Sequence, residues 1–273
     1  MERLNKYTNS KRTQEREFSL YWLTAFGIQS VVDLKPSEVL LPLVEQHVRG
    51  EKSLDKIKQE LYDYYHELHI KHNSHHIHRD EEADKVSIRI LDYFLNGHFD
   101  LTIEAFCDAH YHLFHGIYHN SGNLRSNPAS KKEWVLGNTT VLYPKPESIK
   151  PRLDYVLALE RSIDYSKMSS AHKLRHLSHF ISDMFMVYAF PFANSRAVFV
   201  YTLKYLFTMG YHLQNDTFAK EAWYFRNAIL RASYANMHQG IFPTTQYMVM
   251  FWGNLLLNEE NELRNHRMVT RGE

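Results

Sequence analysis

The chain has 273 residues, 44% of them hydrophobic and 23% charged, with 32 basic against 31 acidic side chains. That length suffices for one substantial domain, or for a domain with a small helical extension, and so even a charge balance supplies no bulk field for nucleic acid. The single cysteine, Cys107, excludes an intrachain disulfide and a multi-thiolate zinc site, and the absence of an apolar N-terminal segment or an 18-residue apolar run predicts a cytoplasmic protein without membrane contact.

Apolar residues recur at helical spacing along most of the chain, and Gly and Pro are scarce, at 10 and 8. Leu20–Val32 is amphipathic and ends before Pro36, which disfavours helix at the residue preceding it. Ser37 is placed to cap a second helix, which Gly50 can terminate. A third opens at Ser53 and carries Leu54, Ile57, Leu61, Tyr64 and Leu68 on one face. Residues 1–78 therefore read as an N-terminal helical extension, and 79–273 as the main domain with its C-terminal helices. The stretch His72–Asp80 reads as a polar connector. Its histidines, His72, His75, His76 and His78, lack helical pairing apart from His72 with His76. No carboxylate or thiolate is set among them, so no metal site is expected.

Beyond the connector, Glu81–Leu95 is helical, with Ala83, Val86, Ile90 and Phe94 on one face. Thr102–Tyr118 is an aromatic-rich helix in which Cys107 reads as a packed core thiol, broken by 119–123. Trp134–Tyr143 is the only clear strand signal, two short apolar runs flanking Gly137 and Asn138 as a hairpin turn. Pro144 and Pro146 stop it. Helices are then expected over 150–162, 170–187, 197–209, 220–238 and 244–257. The fold class is mainly α, with one β-hairpin.

Between the helices at 170–187 and 197–209 lies Tyr188-Ala-Phe-Pro-Phe-Ala-Asn-Ser-Arg196. It resembles the signature of the Fic (Fido) family, His-x-Phe-x-(Asp/Glu)-(Gly/Ala)-Asn-x-Arg. Phe190, Ala193, Asn194, Ser195 and Arg196 match, whereas Tyr188 stands at the histidine and Phe192 at the carboxylate. Glu82–Ile90 is similar to a helix of many bacterial members, Leu113–Arg125 to the segment with the pattern LF-x-x-Y-x-x-(A/S)-G-x-x-R, and 203–210 and 224–231 to the helices after the loop. The resemblance spans about 80–260. It implies a Fic-type helical fold, with Trp134–Tyr143 as the flap that positions a target peptide, and hence a protein partner along it.

Active members transfer AMP from ATP to protein hydroxyls; the histidine takes the hydroxyl proton and the carboxylate holds magnesium. Tyrosine, with a pKa of about 10 against about 6.5 for histidine, stays protonated at neutral pH, and Phe192 offers no oxygen to magnesium. The chain is therefore expected to lack AMP-transferase activity and to act as a binding or regulatory protein. The alternative is an active Fic-type nucleotidyltransferase working by an atypical mechanism. Tyr188 marks the catalytic position. Asn194, Ser195 and Arg196 are the candidate nucleotide-binding residues, forming a phosphate cradle at a helix N-terminus. No metal and no required cofactor are expected, and any ATP or other nucleotide that binds would do so without magnesium.

On residue types alone, the same stretch reads as an interhelical turn capped by Asn194 or Ser195, with Arg196 in a structural salt bridge. A collapsed site, filled by Tyr188, Phe190 and Phe192, is the competing expectation. His172, His176 and His179, the nearest histidines upstream, are expected to face away from the loop. Thr13–Phe18 fits only the first part of the family's inhibitory motif and reads as a solvated, charged helix start. A homo-oligomer is compatible with the sequence; nucleic acid is not expected.

Overall fold

The computed structural model describes residues 2–71 and 75–270. His72 lies outside the described residues, as do the side chains of His75 and His76. Backbone proximity divides the chain into two compact units, 1–97 with 212–222, and 98–211 with 223–273.

The first unit contains α1 (Glu2–Asn5), α2 (Thr13–Ser30), α3 (Leu40–Val48), α4 (Leu54–Lys71) and α5 (His75–Asn96). Residues Ser19–Gln29 of α2 are buried, and α2 packs on both α3 and α5. Gly27 permits a close approach to the backbone of Ala219. A Cβ there would lie 2.7 Å from the backbone of Ala219, nearer than non-bonded atoms pack, so the usual penalty for a mid-helix glycine is offset by contact. Glu17, in the charged start of α2, accepts a hydrogen bond from the Tyr21 hydroxyl at 2.8 Å.

Asp84 ties three segments of this unit together. Its carboxylate accepts from the Ser37 amide at 2.8 Å, the Ser37 hydroxyl at 2.5 Å and the Tyr65 hydroxyl at 2.8 Å. Burial nevertheless pushes its pKa up to about 6 against the pull of those bonds. Ser37 also accepts from the Leu40 amide, the capping contact its position predicts. On α4 the buried face is Leu54, Ile57, Leu61 and Tyr65, whereas Tyr64 is 38% exposed. The inward turn of Tyr65 follows from its bond to Asp84. Residues 75–80 form the first turns of α5 rather than a connector. Once the face at Ala83, Val86 and Ile90 is buried, adding a turn fixes little more chain than it bonds.

The second unit contains α6 (Ile103–Phe114), β1 (Ser130–Glu133), β2 (Thr139–Leu142), α7 (Pro146–Arg161), α8 (Ser170–Val187), α9 (Asn194–Thr208), most of α10 (Thr217–Ser233) and α11 (Gln246–Leu257). Thr102 caps α6 by accepting from the Ala105 amide at 3.1 Å, and Ser169 caps α8. Glu221 leaves the helical region within α10, beside the division between the units. α8 packs on α7, α9 and α11, around a core that includes Phe106, Phe190, Phe199, Phe225, Phe251 and Trp252. The Cys107 thiol is half-buried in α6, and burial pushes its pKa up to about 11.

The antiparallel hairpin pairs Ser130 with Leu142 and Glu133 with Thr139. Its first strand therefore precedes the apolar run assigned to it from sequence, and Trp134–Leu136 forms a 3-10 turn. Val135 and Leu136 are both fully buried. Consecutive strand residues point to opposite faces, so only a turn turns both inward. Gly137 and Asn138 have φ of 63° and 62°, the left-handed pair expected of a hairpin turn. Glu133 forms an ion pair with Arg226 of α10 at 2.6 Å, each side chain 2% exposed. The result is a mainly helical structure with one two-stranded hairpin. No helix among the described residues is long and apolar enough to cross a membrane.

Candidate functional site

The loop between α8 and α9 is framed by two non-glycine residues in the left-handed region, Tyr188 (φ 49°, ψ 58°) and Ala193 (φ 56°, ψ 22°). α9 begins at Asn194, three residues before the start expected from sequence. Asn194, Ser195 and Arg196 thus form its first turn.

Asn194 does not cap that helix. Its Oδ1 accepts from the Phe190 amide at 2.8 Å and its Nδ2 donates to the Phe190 carbonyl at 2.5 Å, so both ends of the side-chain amide brace the loop. The N-cap position is Ala193, with no side-chain cap, which removes the capped-turn reading. Ser195 is half-buried. Arg196 is 2% exposed. Its Nη2 donates to the Tyr118 hydroxyl at 2.7 Å, and its guanidinium lies 4.9 Å from the Phe114 ring centre and 6.0 Å from that of Tyr118.

The three aromatic side chains of the loop take three different places. Phe190 is fully buried, against Phe106 and stacked on His110 at 3.9 Å. Tyr188 is half-buried and stacks on Tyr143 at 3.9 Å, and burial raises its hydroxyl pKa further above the tyrosine norm. Phe192 is 53% exposed and stacks on Tyr118 at 5.0 Å. A phenol made harder to ionise is a poorer base still.

Two residues outside the candidate set drawn from the loop hold it in place. His110 on α6 is 1% exposed. Its Nδ1 accepts from the Gly122 amide at 2.9 Å, so the proton sits on Nε2, which donates to the Phe192 carbonyl at 3.2 Å. Burial depresses its pKa to about 4. With both nitrogens committed it is a brace, not a base. Arg125 is 5% exposed. It donates to the carbonyls of Tyr188 and Asn127, both at 2.7 Å, and to that of Pro144, while its own amide donates to Ala189. It thereby clamps the loop to the end of β2. The sequence did signal Arg125, as the last residue of the segment Leu113–Arg125, but nothing marked His110, which meets Phe192 across 82 residues. Of the upstream histidines, His176 is held by Glu160 at 2.9 Å.

A cavity of about 540 Å³ opens beside the loop, walled by Asn120, Asn123, Arg125, Ser126, Asn127, Pro191 and Phe192 among others. Among the described residues, Tyr188, Asn194, Ser195 and Arg196 do not belong to its walls. A second cavity, of about 810 Å³, lies along the hairpin end and is lined by Ser130, Leu142, Tyr143, Lys145, Arg152 and Met186 among others. The site can hold its own backbone rigidly and present amides and an aromatic face.

No protein-family model matches the chain, and no curated protein does. Among solved structures, it is similar to the BepC protein, a VirB-translocated effector from Bartonella tribocorum crystallised with AMPPNP. That likeness covers 72% of this chain and 86% of BepC, at 13% identity and a TM-score of 0.48.

Proposed function

We propose that this chain is a Fic-type protein without AMP-transfer chemistry that acts as a binding or regulatory protein. The residues of the 188–196 loop carry the family reading. Its inactivity is supported by Tyr188, whose hydroxyl is hard to ionise, and by Phe192, which cannot ligate magnesium. The observation that carries the proposal furthest is the state of the phosphate-binding candidates: Arg196 is enclosed by Phe114 and Tyr118 and Asn194 is spent on Phe190. Phosphoryl-type transfer depends on donors aimed at the phosphates, whereas Arg196 Nη2 and the Asn194 side-chain amide are aimed at the protein.

The partner is a protein, and its contact surface is the hairpin end. Leu142, 79% exposed, borders the larger cavity together with Lys145 and Arg152. The test is incubation with labelled ATP, magnesium and cell lysate. No labelling above background is expected. Labelling that disappears in Arg196→Ala would overturn the proposal. Calorimetric titration with ATP, with and without magnesium, should show no binding at millimolar concentration. Magnesium-dependent binding would contradict the closed arrangement.

A further inference from the structure

We propose a binding site for a divalent transition-metal ion of the zinc class where the end of α4 meets the start of α5, formed by His69, His78 and Glu81. The ligand atoms of these three residues all lie within 4.8 Å of one another. His78 and Glu81 are three apart on α5 and so share a face, while His69 comes from the last turn of α4. The His69 and His78 rings lie 5.1 Å apart, and His69 Nε2 is 2.6 Å from Glu81 Oε2. Lys85 pairs with the other carboxylate oxygen, Oε1, which holds Glu81 in place and leaves Oε2 turned to the histidines.

Two imidazoles and one carboxylate form the donor set that suits zinc, nickel or cobalt, and a water completes the tetrahedron. Ligand atoms around such an ion stand about 3.4 Å apart, given bonds of about 2.0–2.2 Å. The site therefore needs only shifts of about an ångström, within reach of exposed imidazoles; His69 keeps 32% of its side chain exposed. The histidine run of the sequence suggested no metal because two of the three ligands, His69 and Glu81, lie outside it. Binding here would clasp α4 to α5 and is independent of the chemistry read at the 188–196 loop.

The test titrates the tag-free full chain, stripped by chelator, with zinc chloride by calorimetry and with cobalt chloride by absorption spectroscopy. About one equivalent of zinc should bind, and cobalt should develop the visible bands of a four-coordinate ion. His78→Asn and Glu81→Gln should each weaken zinc at least about tenfold. A variant carrying His72→Asn, His75→Asn and His76→Asn should bind as the parent does. If Glu81→Gln loses its helical signal in circular dichroism, His69→Asn provides the same reading. No binding at millimolar zinc would overturn the proposal. So would binding that survives His78→Asn and Glu81→Gln but is lost in the triple variant.

Discussion

Around the 188–196 loop, Arg125 is committed to three carbonyls, Asn194 to Phe190 and His110 through both ring nitrogens. At the meeting of α4 and α5, His69 and His78 keep imidazoles at the surface, and their near neighbour is a carboxylate. Residue type alone would assign the chemistry to the first region, because it carries the motif. Partners reverse that order. A buried donor bonded to backbone carbonyls is scaffold, since removing it strands the acceptors. A part-exposed pair such as His69 and Glu81 can exchange its mutual hydrogen bond for an ion at little cost to the fold.

The comparison breaks most readily at the buried ion pair. Arg226→Ala should destabilise the protein by about 3 kcal/mol, because it leaves the buried Glu133 carboxylate with only the Lys131 ammonium, 4.0 Å away, in place of its 2.6 Å partner. Replacing both partners, Arg226→Met with Glu133→Leu, should restore most of that loss. Denaturant unfolding followed by circular dichroism measures both. A loss below about 1 kcal/mol for the single variant would deny that enclosed polar groups are structural here.

Acid tests the same idea without mutation. His110 titrates at about 4 in the fold and at about 6.5 when unfolded. Between those values the unfolded chain binds more protons, so stability falls as pH drops through the window and levels off below it. The loss attributable to His110 is on the order of 3 kcal/mol. His47, also depressed to about 4 by burial, acts in the same direction. Asp84, raised to about 6, opposes them: the fold binds its proton more tightly, so stability rises as pH falls from about 6 towards 3.8. His110→Gln should flatten the dependence measured by denaturant titration at pH 7, 5 and 4.

Smaller effects sharpen the contrast. Asn194→Ala removes two hydrogen bonds and leaves the Phe190 backbone unsatisfied, which should destabilise by about 2 kcal/mol. His69→Asn or His78→Asn, without added metal, should change unfolding by no more than about 0.5 kcal/mol. A larger change would make that cluster scaffold as well.

The helices were legible where local chemistry sets their ends. Ser37, Thr102 and Ser169 bond the amides that capping predicts, and Gly50, at φ 74°, closes α3. The first strand of the hairpin was not, because Ser130–Glu133 carries no apolar alternation and takes its place from pairing with 139–142. At the loop, the motif gave the residues without their partners. Asn194 looked like a helix cap and Arg196 like an open phosphate ligand. Their actual bonds depend on Phe190 being held by His110, and on Tyr118 lying across the guanidinium. Such long-range contacts leave no periodic trace.

Tyr188 ends α8 in a left-handed conformation that costs most residues about 1–2 kcal/mol and glycine almost nothing. Its stacking on Tyr143 and the Arg125 bond to its carbonyl keep the chain there. Histidine, with asparagine and aspartate, is enriched in that region of backbone space. Tyr188→His should therefore meet no backbone obstacle. The cost of placing an imidazole here falls on one lost aromatic stack, and the main chain at this position suits a residue that could take a proton.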